Sequence, residues 1–123
     1  MPIYRVYSDA VAKPYSVSVS KLEHEFKVLP APSAFTAPTW VEYPQPFDLD
    51  LRRGRTNLKL VAFVLTDSVG KLIQLYVIGA SDMTVAKVAG AKLSHAKWRA
   101  ARLGNVPVAS AAIWEFDGAG IPD

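Results

Sequence analysis

Residues 58–66, LKLVAFVLT, are almost continuously apolar, and they set the strongest limit on how this chain folds. A strand on a half-wet sheet alternates apolar with polar side chains; one without alternation has to be covered on both faces. Asp67-Ser68-Val69-Gly70 follows with turn chemistry, and Lys71 to Ile78 returns rich in leucine, isoleucine, valine and tyrosine. The spacing predicts a β-hairpin whose first arm is a central strand.

Other segments read as strands by alternation. Ile3 to Tyr7 is rich in aromatic and β-branched residues. From Tyr15 to Ser20 the pattern sets Tyr15, Val17 and Val19 against three serines. Leu22, His24, Phe26 and Val28 continue it against Glu23, Glu25 and Lys27. This predicts one long bent strand or a pair of short ones. Phe47 to Arg52 alternates again before an Arg53-Gly54-Arg55 turn, and Val106 to Asp117 supplies a last strand.

One helix is expected, from Ser81 to Gly104. Ser81 suits an N-cap, Asp82 the positive end of the dipole, and Gly104 a C′ position. Val85, Ala86, Ala89, Leu93, Ala96, Ala100, Ala101 and Leu103 fall on one arc, and their small size predicts close packing on a sheet. The fold class expected is α+β: an antiparallel sheet of about five to seven strands with one long helix from the C-terminal half packed on it. A chain of 123 residues is expected to form a single domain over 1–123.

The stretch at about 29–46 stands apart. Pro30, Pro32, Pro38, Pro44 and Pro46 exclude a helix or a central strand there, while Phe35, Trp40 and Tyr43 are candidate anchors. Two readings are open: an arm lying on its own core, or one reaching a neighbouring subunit.

Composition excludes several kinds of chemistry. With no cysteine there are no disulfides, thiolate metal sites or cysteine nucleophiles. The N-terminus lacks the charged and apolar regions of a signal peptide, and no apolar run approaches the roughly 20 residues of a membrane span. A cytoplasmic protein without membrane contact is expected. His24 and His95 are the only histidines, and no nucleophile motif accompanies them. Asp48 and Asp50 share a strand face but lack a third ligand. No enzyme activity, cofactor or metal is expected.

Charge gives the functional expectation. Residues 51–103 hold ten lysines and arginines against two aspartates, a net +8, although the whole chain is only +3. Arg52, Arg53 and Arg55 at the turn, with Lys87, Lys92, His95, Arg99 and Arg102 on one helix arc, form a candidate surface for phosphates, and Trp98 within that arc a stacking platform for bases. The expectation is a small nucleic-acid-binding protein, with single-stranded DNA or RNA favoured. The alternative is a structural or assembly subunit, or a module docking on an acidic protein surface, with self-association through the arm. A mean hydropathy of +0.14 and a charged fraction of 20% suit a partially covered surface.

Overall fold

The computed structural model describes residues 2–30, 35–36, 39–40, 58–95 and 97–117, with residues 35–36, 39–40 and 117 as backbone only. In chain order these form β1 (Ile3–Arg5), α1 (Asp9–Ala12), a 3₁₀ turn (Lys13–Tyr15), α2 (Ser16–Glu25), β2 (Phe35–Thr36), β3 (Thr39–Trp40), β4 (Lys59–Thr66), β5 (Leu72–Ala80), α3 (Met83–Leu93), β6 (Trp98–Arg99), β7 (Ala101–Leu103) and β8 (Val106–Asp117). The expected strand at 47–52 and turn at 53–55, Tyr43, and the carboxylates Asp48 and Asp50 lie outside the described residues.

The hairpin forms as its sequence requires. β4 and β5 pair antiparallel from Leu60↔Ala80 to Thr66↔Leu72, with β8 antiparallel on the other edge of β4. β4 therefore lies inside the sheet, and its residues from Leu60 to Thr66 are all essentially inaccessible to solvent. Leu60, Ala62 and Val64 face α3 and the two tryptophans Trp98 and Trp114; Phe63 and Leu65 face the N-terminal helices. At the far end of the strand the hydroxyls of Thr66 and Ser110 share a hydrogen bond at 3.2 Å, so the buried polar pair is satisfied.

Three features correct the antiparallel sheet with one long C-terminal-half helix. First, residues 9–25 are helical where Tyr15 to Val28 reads as strand. Ala12, Tyr15, Val19, Leu22 and Phe26 recur at steps of three and four, and all pack into the core cluster around Phe63 and Leu65. The apparent alternation depended on Val17, which is 85% exposed, and on His24, which is exposed on α2. Ser8 Oγ caps α1 by accepting from the Val11 N–H at 3.3 Å. Lys27, at φ +53, ends α2 in a left-handed turn closed by Val28 N–H donating to the Glu23 carbonyl at 2.9 Å.

Second, the sheet is mixed. β1 runs parallel to β8, Ile3 opposite Ala109, and after the helical crossover Leu29 returns beside Tyr4 in parallel. Tyr7 ties this crossover down: its hydroxyl donates to Glu23 Oε2 at 2.7 Å, and burial together with that carboxylate raises the phenol pKa well above its ordinary value.

Third, the C-terminal-half helix is α3 alone, eleven residues long. Asp82 is its N-cap, accepting from the Val85 N–H at 2.9 Å, while Ser81 pairs with Lys59 beyond the end of β5. Residues 98–99 and 101–103 are strand, and magnitudes explain why. Burying a tryptophan removes roughly 150–250 Å², on the order of 4–6 kcal/mol at about 25 cal/mol/Å². Helix preference among Ala, Lys, Arg and Leu differs by only about a few tenths of a kcal/mol per residue. As strand, Trp98 and Ala101 turn inward and Arg99 and Arg102 turn out. Gly104 is then the first residue of a two-residue loop, since Leu103 pairs with Val106 and Gly104 has φ +65.

The resulting six-stranded sheet has the order β2-β7-β8-β4-β5, with β1 on the β8 edge beyond β7; β3 and β6 form a separate pair. Phe35 lies opposite Leu103 and Trp40 opposite Trp98, so the described part of the proline-rich arm pairs within its own chain. No helix among the described residues is long and apolar enough to cross a membrane.

The helical reading of α2 separates two adjacent apolar positions. Leu22→Ala is expected to cost about 2–5 kcal/mol, and Val17→Ser no more than about 0.5 kcal/mol. Urea unfolding monitored by circular dichroism checks this; equal large losses would restore Val17 to the core and the segment to strand.

Candidate functional site

The turn between β4 and β5 is built around one carboxylate. Asp67 Oδ1 accepts from the N–H groups of Val69 at 2.9 Å and Lys71 at 2.8 Å, and the Asp67 N–H donates to the Lys71 carbonyl at 2.9 Å. Gly70 completes the turn at φ +85. A Cβ on Gly70 would stand 2.4 Å from the Trp98 carbonyl oxygen, so the turn sits directly against the β6 backbone. Glycine here answers two constraints at once: a left-handed backbone and a close approach.

This contact creates an open cleft of about 420 Å³ between Ser68 and Val69 on one side and Arg99, Ala100, Arg102 and Pro107 on the other. Trp98 closes its base. The tryptophan is 5% exposed, and its ring meets Trp114 at 5.3 Å between centroids, tilted by 56°. Its indole is thus a core element between Ala62 and Val64, and presents no free face for a base to stack on. Arg99 and Arg102 are exposed, each next to a buried residue of its own strand, Trp98 in β6 and Ala101 in β7.

The electrostatics of this end are one-sided. Between residues 58 and 103 the only acids are Asp67 and Asp82, and both carboxylates accept backbone hydrogen bonds, in the turn and at the α3 N-terminus. Lys59, Lys71, Lys87, Lys97, Arg99 and Arg102 are all exposed, and the ion pairs seen among the described residues, Arg5 with Asp9 and Glu23, involve none of them. Lys71 adjoins Gly70, and Lys97 adjoins Trp98, so chain connectivity places both beside the cleft that Arg99 and Arg102 line.

Of the residues singled out by sequence, Trp98, Arg99 and Arg102 are brought together. Lys87 and Lys92 are exposed on α3 and His95 just beyond it, and none of the three lines the cleft. Arg52, Arg53 and Arg55 lie outside the described residues. Ser68, Val69 and Pro107 were not legible as site residues. Gly70 was the available signal, read only as turn chemistry, because what the turn docks against is a long-range fact.

Two other clefts lack this charge pattern. One of about 640 Å³ is lined by Tyr15, Leu58, Lys59, Val61, Gly79, Ala80 and Ser81, with the Ser81 hydroxyl occupied by the Lys59 backbone. The other, about 500 Å³, holds Arg5, Glu23, His24 and Lys27. There Arg5 is spent internally: on Asp9, on the Tyr7 carbonyl at 3.2 Å, and over the Tyr7 ring at 4.6 Å.

The two positive-φ glycines give a graded test of the wall of the basic cleft. Gly104→Ala meets no atom within 4 Å, so only backbone strain of about 1–2 kcal/mol is expected. Gly70→Ala adds a clash with the Trp98 carbonyl and should cost more, with a shift in the tryptophan emission maximum as the Trp98–Trp114 pair is disturbed. Equal losses in thermal unfolding, with unchanged fluorescence, would contradict the contact.

Compared with known proteins, the sequence matches no family model, and no curated protein or solved structure is significantly similar to it.

Proposed function

We propose that this protein is a small, non-enzymatic nucleic-acid-binding protein that holds the phosphate backbone at the cleft between the β4–β5 turn and β6–β7. The observation that supports this best is the outward pair Arg99 and Arg102 with Lys71 and Lys97 beside them, none with an acidic partner among the described residues. Exposed cations without internal partners keep their charge available, and releasing counterions from a polyanion supplies affinity without reading sequence.

The burial of Trp98 changes how such binding would work. With the indole packed on Trp114, affinity rests on phosphate contacts and not on base stacking. A flexible single strand can follow a short row of cations around a turn, whereas a duplex demands cations matched to fixed groove edges. Single-stranded DNA or RNA therefore remains the favoured ligand.

A fluorescence-anisotropy titration with labelled single-stranded oligonucleotides tests this. Affinity should fall steeply with salt and vary little between sequences. Arg99→Glu with Arg102→Glu should lower affinity at every sequence and reduce the slope of log K against log salt by about 2. Lys21→Glu, on α2, should change neither the sequence preference nor the slope by more than about half that amount. Absence of binding at low salt overturns the proposal, as does a double variant that binds like wild type. Equally tight binding of polyglutamate would point to an acidic protein surface.

A further inference from the structure

We propose that two copies of the chain associate through the outer edges of their β5 strands, joining the two sheets antiparallel about a two-fold axis near Tyr76. The sheet order ends at β5, and among the described residues nothing pairs with its second edge. Such an edge presents a row of backbone donors and acceptors to any strand that can reach it.

Soluble proteins blunt exposed edges with lysine, proline or inward charges. Residues 72–80, LIQLYVIGA, contain none of these. Bulges interrupt the β4–β5 register at Val61/Ala62 and Leu65/Thr66, but Val77 to Gln74 pair regularly opposite Ala62 to Leu65 between them. The regular stretch is centred on Leu75 and Tyr76, where a two-fold axis would pass.

The ends of the strand favour a second copy as the occupant. Lys71 precedes β5 and Asp82 follows it. Antiparallel pairing about Tyr76 brings Lys71 of each copy beside the Ser81–Asp82 end of the other, so opposite charges meet twice while the nine residues between carry none. Exposed apolar side chains lie at the same two ends: Ile73 is 42% exposed and Met83 is 72% exposed. A nucleic acid has no attraction for the uncharged stretch 72–80, and Lys71, which also borders the basic cleft, is the residue the two surfaces share. The described strands of the proline-rich arm, residues 35–36 and 39–40, pair with β7 and β6 of their own chain.

Sedimentation equilibrium across a concentration series, with no nucleic acid present, tests the proposal. Wild type should be a dimer at about 100 μM and dissociate on dilution. The double variant Ile73→Lys, Gln74→Lys alters two exposed side chains and gives each β5 edge the lysines that blunt exposed strands. It should raise the dimer Kd by at least about tenfold while circular dichroism and the unfolding midpoint stay those of a folded protein. Val106→Lys, which charges an exposed apolar residue of β8, should leave the dimer intact. Amides of residues 72–80 should exchange hydrogen more slowly at high protein concentration than at low. A wild type that is monomeric throughout the series overturns the inference, and so does a dimer that persists unchanged in the folded double variant.

Discussion

The double burial of β4 is the constraint on which the remaining structure depends. A strand reading LVAFVL with both faces inaccessible requires two separate covering layers, and the chain supplies them from opposite ends of the sequence. Residues 9–25 cover Phe63 and Leu65; α3 and the Trp98–Trp114 pair cover Leu60, Ala62 and Val64. At roughly 1.5–3 kcal/mol for each large side chain removed from water, this central strip outweighs the local preferences of the segments recruited to cover it. That explains both places where the chain departs from its most obvious local reading. Residues 15–25 become helix and residues 98–99 and 101–103 become strand because those conformations deliver apolar side chains to β4.

The same arrangement produces the basic cleft as its outward counterpart. Within β6 Trp98 faces the core and Arg99 faces water; Ala100 lies between the strands, and within β7 Ala101 faces the core and Arg102 faces water. Gly70 then lets the hairpin turn approach the Trp98 carbonyl, placing the turn opposite the arginines. The acids closest in sequence are committed to backbone hydrogen bonds. Core packing and surface potential at this end are linked through the alternation within β6 and within β7.

How much was legible follows from the range of each interaction. The hairpin of β4 and β5, the strand at Val106 to Asp117 and the short strand at Ile3 are specified by local pattern and turn chemistry, and the sequence shows them. The N-terminal helices were obscured because YSVSVSKLEHEF fits period two and, apart from Val17 and His24, the three-four spacing as well; the exposure of those two residues is a tertiary fact. Gly104 was equally ambiguous, since a helix C′ position and a hairpin turn both call for positive φ. The charge asymmetry could be read from composition, but not the partition of its members. Arg99 and Arg102 share a cleft while Lys87, Lys92 and His95 do not line it, and that depends on where the helix stops.

The central claim is that the turn of the β4–β5 hairpin and the outward arginines of β6–β7 form one phosphate-binding surface over a closed tryptophan core. Backbone amide chemical shifts, followed by NMR as a single-stranded oligonucleotide is added at low salt, test it most directly. The account predicts that shifts concentrate at residues 68–71 and 97–102, with the Trp98 indole signal nearly unmoved and α2 silent. Shifts absent altogether, or centred on the Tyr15–Ser81 cleft or on α2, or a Trp98 indole that moves most of all, would contradict it.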